Sequence, residues 1–145
     1  MTKQLNDVKY WTYHDSDKPI CVLIHGFTGS HEGFQYIIPD LENFHLIVPD
    51  LPGFGESELT LDEFSIDALA RKVNDFVRAL NLKTSPYLVS HSMGGLVAAS
   101  MLTQNPELFH ERTVFISPVA TKVRRLDSRS LGAFLGRLQY FVGKS

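Results

Sequence analysis

Apolar positions along this chain follow two rhythms. Short, near-continuous apolar runs at Ile20 to Ile24 and Leu46 to Val48 read as buried strands of a parallel sheet, and Tyr87 to Val89 and Thr113 to Ser117 as a third and fourth strand. Val8 to His14 is a further β-prone run, ending at the turn-rich Asp15-Ser16-Asp17-Lys18-Pro19. The rhythm then changes. Ile66, Leu69, Ala70, Val73, Phe76, Val77 and Leu80 keep i, i+3, i+4 spacing, which predicts an amphipathic helix with one apolar stripe. Ser65 stands at its N-cap, Glu63 and Asp67 put acid at the positive end, and Arg78 puts base near the negative end. A second helix is predicted from Met93 to about Gln104, ended by Asn105-Pro106. Phe34 to Leu41 predicts a short helix broken near Pro39. Strands alternating with helices imply right-handed crossovers and a parallel sheet.

Composition adds bounds. A chain of 145 residues fits one domain and buries roughly two-thirds of its unfolded surface. An apolar share of 43% and a formal charge of −2 suit an ordinary globular protein and carry no nucleic-acid signature. The lone Cys21 sits in an apolar run and reads as a reduced core thiol. Met1 to Tyr10 has no apolar leader, and no run approaches the roughly 20 residues of a membrane span, so the cytoplasm is the expected compartment. After Pro118 the charge turns basic, with Lys122, Arg124, Arg125, Arg129, Arg137 and Lys144 against Asp127. Leu131, Phe134, Leu135, Leu138 and Val142 share one helical face there. Such a helix suits an anionic membrane surface, but packing over the core is the preferred reading.

The candidate chemistry lies where three predicted strands end. Ser90-His91-Ser92-Met93-Gly94 puts Ser92 on a tight turn between strand and helix, its hydroxyl pushed out with a helix N-terminus behind it. The turn resembles the nucleophile elbow of the α/β-hydrolase family, with Ser90 replacing the first glycine of Gly-x-Ser-x-Gly. Serine is among the smallest replacements where backbone crowds backbone. His25-Gly26-Phe27 closes the first buried strand, and Asp50-Leu51-Pro52-Gly53-Phe54-Gly55-Glu56-Ser57 closes the second. In order and spacing the three motifs are similar to the N-terminal half of a lidded α/β-hydrolase, in the branch of esterases, carbon–carbon bond hydrolases and cofactor-free haloperoxidases. The resemblance implies a mostly parallel sheet with helices on both faces, and Ile20–Ile24 between the Leu46–Val48 and Tyr87–Val89 strands. It also implies a core over residues 1–117, ending after the family's sixth strand, and the start of a lid over 118–145.

In open parallel sheets ligands collect at the carboxyl ends of the strands, where all three motifs lie. Acyl transfer needs donors aimed at the oxygen that becomes negative; the backbone N–H groups of Phe27 and Met93 are the expected pair. The resemblance implies Ser92 as nucleophile and a small-molecule ester, acyl or carbon–carbon substrate. Neither nucleic acid nor membrane is an expected partner. The sequence holds no metal cluster, phosphate loop or dinucleotide fingerprint, so no cofactor is expected. His25 is expected to shape its loop, and Asp50, Gly53 and Gly55 to serve the turn after the second strand.

The family's triad also takes an acid and a histidine from later strands, positions this sequence does not contain. Only His110 follows Ser92, toward the other end of the sheet; His91 abuts the nucleophile, and His31 is the remaining substitute base. The chain is therefore expected to be a fragment of a longer enzyme, or part of an assembly, and impaired as it stands. The rival reading is a non-catalytic hydrolase-like binding protein. Thr113 to Ser117 has no proline or charge to guard it as a sheet edge, which predicts self-association there.

Overall fold

The computed structural model describes residues 2–119. Among the described residues six strands form one sheet: β1 (Thr2–Leu5), β2 (Val8–Tyr13), β3 (Ile20–Ile24), β4 (His45–Pro49), β5 (Tyr87–His91) and β6 (Thr113–Ile116). Their order is β1-β2-β4-β3-β5-β6. β3 pairs in parallel with β4 and with β5, and β5 with β6, while β1 and β2 run antiparallel. The expected central placement of Ile20–Ile24 is therefore observed. β1 is an addition to the predicted strands. Its Thr2, Lys3 and Gln4 carry no apolar signal, and it forms through a tight hairpin at Asn6, whose φ of 52° is left-handed.

Alternation along β3 splits the core. Val22 and Ile24 face one buried cluster, with Leu69, Val73 and Phe76 of helix α1 (Ile66–Ala79) and Val97 and Met101 of helix α2 (Gly94–Gln104). Cys21 and Leu23 face the other, with Leu46, Val48, Phe34 and Ile38. Both faces are thus covered by helix, α-helical on the first and 3₁₀ on the second. The short helix expected at Phe34–Leu41, broken near Pro39, takes the form of two 3₁₀ turns, His31–Phe34 and Ile38–Leu41. Pro39 lacks an N–H and sits in the first turn of the second piece, so no continuous α-helix can run through it.

α1 begins where expected, with Ser65 Oγ accepting the Ala68 N–H at 3.1 Å. Asn74, 1% exposed, donates to the Met101 carbonyl at 3.2 Å and ties α1 to α2. β6 is the outermost described strand on its side, and Val114, Phe115 and Ile116 are exposed by 53%, 41% and 36%. Among the described residues no helix is long and apolar enough to cross a membrane. The lid assignment and the basic amphipathic helix fall almost wholly on residues outside those described.

Candidate active site

β5 must reverse into α2 within two residues, and Ser92 makes the reversal with a φ of 54°, in the left-handed region that β-carbons disfavour. Its N–H donates to the Ile116 carbonyl at 3.1 Å, and its own carbonyl accepts the Gly95 N–H at 2.9 Å. α2 starts at Gly94, one residue after the expected Met93. The turn is tight enough to require bare backbone on two sides. A Cβ on Gly94 would lie 2.5 Å from the carbonyl oxygens of Ile24 and His25, and one on Gly26 would lie 2.9 Å from Ser92 Cβ. Ser90, at the motif's altered position, is fully buried, and its hydroxyl faces the Val114 carbonyl at 3.5 Å.

The loop after β3 is held by His25, which is 2% exposed. Leu51 N–H donates to His25 Nε2 at 2.9 Å, so Nε2 is the acceptor and Nδ1 carries the hydrogen. Nδ1–H then donates to the Gly26 carbonyl at 2.8 Å. Burial depresses the His25 pKa below its ordinary value, against smaller opposing effects from the Gly26 bond and the Asp50 charge. A neutral imidazole with both nitrogens engaged shapes the loop, as the sequence led us to expect. Asp50 organises the neighbouring loop. Its buried carboxylate accepts the Glu56 N–H at 2.8 Å and the His31 N–H at 2.6 Å. Gly55, at φ 54°, packs its bare Cα against that carboxylate.

Phe27 is half-buried, edge-on to Phe54 at 5.8 Å, and Met93 is 5% exposed. Among the described residues neither the Phe27 nor the Met93 N–H donates a hydrogen bond. The loop after β3 and the turn after β5 thus each carry a backbone N–H without an acceptor among the described residues. Surface hollows of about 300 Å³ (Arg78, Lys83, Pro86) and about 490 Å³ (Thr60, Arg71, Lys72) do not include Ser92, Phe27 or Met93.

None of the six histidines hydrogen-bonds to Ser92. His14 bonds the Ile38 carbonyl, and His45 lies 3.7 Å from Asp15. His110 stacks on Tyr87 at 4.0 Å, at the start of β5 and about 16 Å along the strand from Ser92. His91 ends β5 beside Ile116 of β6, and its exposed side chain makes no hydrogen bond among the described residues. His31 does not serve as the substitute base considered above: it stacks on Trp11 at 3.3 Å. Trp11 lies on β2, three strands from β5, roughly 14 Å across the sheet. Two features escaped the sequence reading, the approach of Gly26 to Ser92 and the His31–Trp11 stack. The glycine between His25 and Phe27 was the available signal for the first.

The family model described as alpha/beta hydrolase fold matches residues 19–145, and the chain belongs to that family. It is 34% identical over 113 residues to the uncharacterized hydrolase YugF of Bacillus subtilis, covering 77% of this chain and 41% of that protein. Human monoacylglycerol lipase ABHD6 is 37% identical over 84 residues, covering 56% of this chain and 25% of the lipase. The crystal structure of serine hydrolase CCSP0084 from Cycloclasticus zankles superposes with a TM-score of 0.70 at 28% identity, covering 83% and 45% of the two chains. The chain thus spans less than half the length of these hydrolases.

Proposed function

We propose that this chain carries the nucleophile half of a serine hydrolase acting on a carboxylic ester or a related acyl or carbon–carbon bond. Ser92 is the nucleophile, and the Phe27 and Met93 N–H groups form the oxyanion hole. The left-handed φ of Ser92 at the β5–α2 junction carries this reading, because such strain persists only where surrounding structure enforces it. The hydroxyl attacks the carbonyl carbon, and negative charge grows on the oxygen facing the two donors. Each such donor contributes typically about 10²–10³ in rate. The serine proton needs a base. No histidine of this chain reaches it, so the chain alone is a slow catalyst, held to the roughly 10³–10⁴-fold advantage over water that survives loss of a triad member.

The monoacylglycerol lipase among the relatives supports an ester substrate. The position of β6 as the outermost described strand on its side supports pairing of that edge with another strand. Prolonged incubation with an activated butyrate ester tests the reading. One butyryl group should accumulate on the Ser92 peptide, since no base speeds its hydrolysis. Acylation elsewhere, unchanged in Ser92→Ala, would overturn it.

A further inference from the structure

Among the described residues two serines hold left-handed backbone, Ser92 with a φ of 54° and Ser117 with a φ of 43°. Asparagine visits that region readily and serine does not, so each conformation is imposed by its surroundings. The two stand at neighbouring strand ends, since β5 and β6 run parallel with His91 opposite Ile116. Both polar backbone groups of Ser92 are met by the chain leaving β6. Its N–H donates to the Ile116 carbonyl at 3.1 Å, and its carbonyl accepts the Val119 N–H at 3.3 Å. Three residues of extended chain reach about 10 Å, so Ile116 and Val119 can bond the same residue only if the chain folds back between them. Left-handed Ser117 makes that fold. Pro118 then rests on bare helix surface: a Cβ on Gly95 would lie 3.0 Å from Pro118 Cβ and 3.5 Å from Phe115 Cδ1.

We propose that Ser117, Pro118 and Val119 form a backbone strap that holds Ser92 in its left-handed conformation, with Ser117 a positioning residue for the nucleophile. The consequence for acylation rests on the function proposed above; the strap itself does not. Within the turn, the Gly95 N–H on the Ser92 carbonyl fixes Ser92 only to the helix that follows it. The strap adds a hold from the neighbouring strand, on the N–H and the carbonyl together. Ser117 is exposed, and its hydroxyl makes no hydrogen bond among the described residues, so its contribution is its backbone angle. An open strap lets Ser92 relax toward ordinary dihedrals and carries its hydroxyl out of place. The fraction of chains ready to react then falls, and the observed rate falls with it.

The test labels the full chain with a fluorophosphonate and follows exchange of the Ser92 and Val119 amides by NMR, under conditions where the variants are folded. Ser117→Val puts a β-branched side chain at a positive φ, where such residues are outliers. It should slow Ser92 labelling about fivefold or more and speed exchange of both amides by a similar factor, the worth of about one hydrogen bond. Amides of β4 report global opening and should change less. Ser117→Gly removes the same hydroxyl yet suits a positive φ, and should bring both readouts back to within about twofold of wild type. Val119→Pro deletes the donor to the Ser92 carbonyl and should slow labelling about fivefold relative to Val119→Ala, the conservative counterpart that keeps the N–H. Should a variant of one pair not fold, the other pair decides. The proposal is overturned if Ser117→Val labels as fast as Ser117→Gly, or if Ser117→Gly slows labelling as much as Ser117→Val. It is equally overturned if β4 amides speed up as much as those of Ser92 and Val119, or if Val119→Pro matches Val119→Ala. Failure of wild-type Ser92 to label would sink the proposed function, and the amide exchange would still decide the strap.

Discussion

Gly26 and Ser92 touch without a side chain between them: a Cβ built on Gly26 would sit 2.9 Å from Ser92 Cβ and 3.4 Å from its Oγ. This contact joins the loop after β3, which carries Phe27, to the turn after β5, which carries Ser92. Both atoms it would strike are fixed to backbone, the second being the His91 carbonyl oxygen at 3.2 Å. Gly26→Ala should therefore cost about 1–3 kcal/mol in denaturant unfolding. It should also slow acylation of Ser92 more than that loss of stability explains, because it shifts the loop carrying the proposed Phe27 donor as well as straining the fold.

Gly94 tests the other side of the turn. Helix propensity alone favours alanine there by up to about 1 kcal/mol. Packing opposes it, because the new carbon would lie 2.5 Å from the carbonyl oxygens of Ile24 and His25. Packing should win, with Gly94→Ala losing more than about 3 kcal/mol or failing to fold. Gly33, which has nothing within 4 Å of an added carbon, is the control. Gly33→Ala should stay within about 0.5 kcal/mol of wild type by the same denaturation curve.

His25 sets a pH dependence of stability. Its folded pKa lies below the ordinary 6.5, so the unfolded chain takes up the proton first on acidification. The stabilisation is present above pH 6.5 and is lost as pH falls through the depressed folded value. Denaturation midpoints of wild type should therefore fall between pH 7.5 and pH 5. His25→Asn should lower the midpoint at pH 7.5, by removing the Leu51 acceptor and the loop bond, and should flatten this fall. An equally steep fall in the variant would assign the dependence to other groups.

The parts legible in the sequence are those set by local spacing. α1 follows from one apolar stripe and one capping serine, and the structure ends it at Ala79, one residue short of the last stripe position. Ser92 was legible because a strand that must reverse into a helix leaves few ways to place the residue between them. β1 was not, since an edge strand built from Thr2, Lys3 and Gln4 shows no apolar rhythm and exists through pairing with β2. Nor were the contacts of His31. They depend on β2 lying beside β4, a neighbour relation that no single segment encodes.

Ser92 as a nucleophile to which this chain delivers no histidine is the core of the proposed function. Its most direct test is the rate of fluorophosphonate labelling, mapped by peptide mass, with and without free imidazole. Labelling should be slow, confined to Ser92 and absent from Ser92→Ala, and accelerated by imidazole acting as the missing base. A positioned base contributes about 10²–10⁴, so a diffusible one should recover at least about tenfold. Labelling that ignores imidazole, or that persists at the same rate in Ser92→Ala, would contradict it.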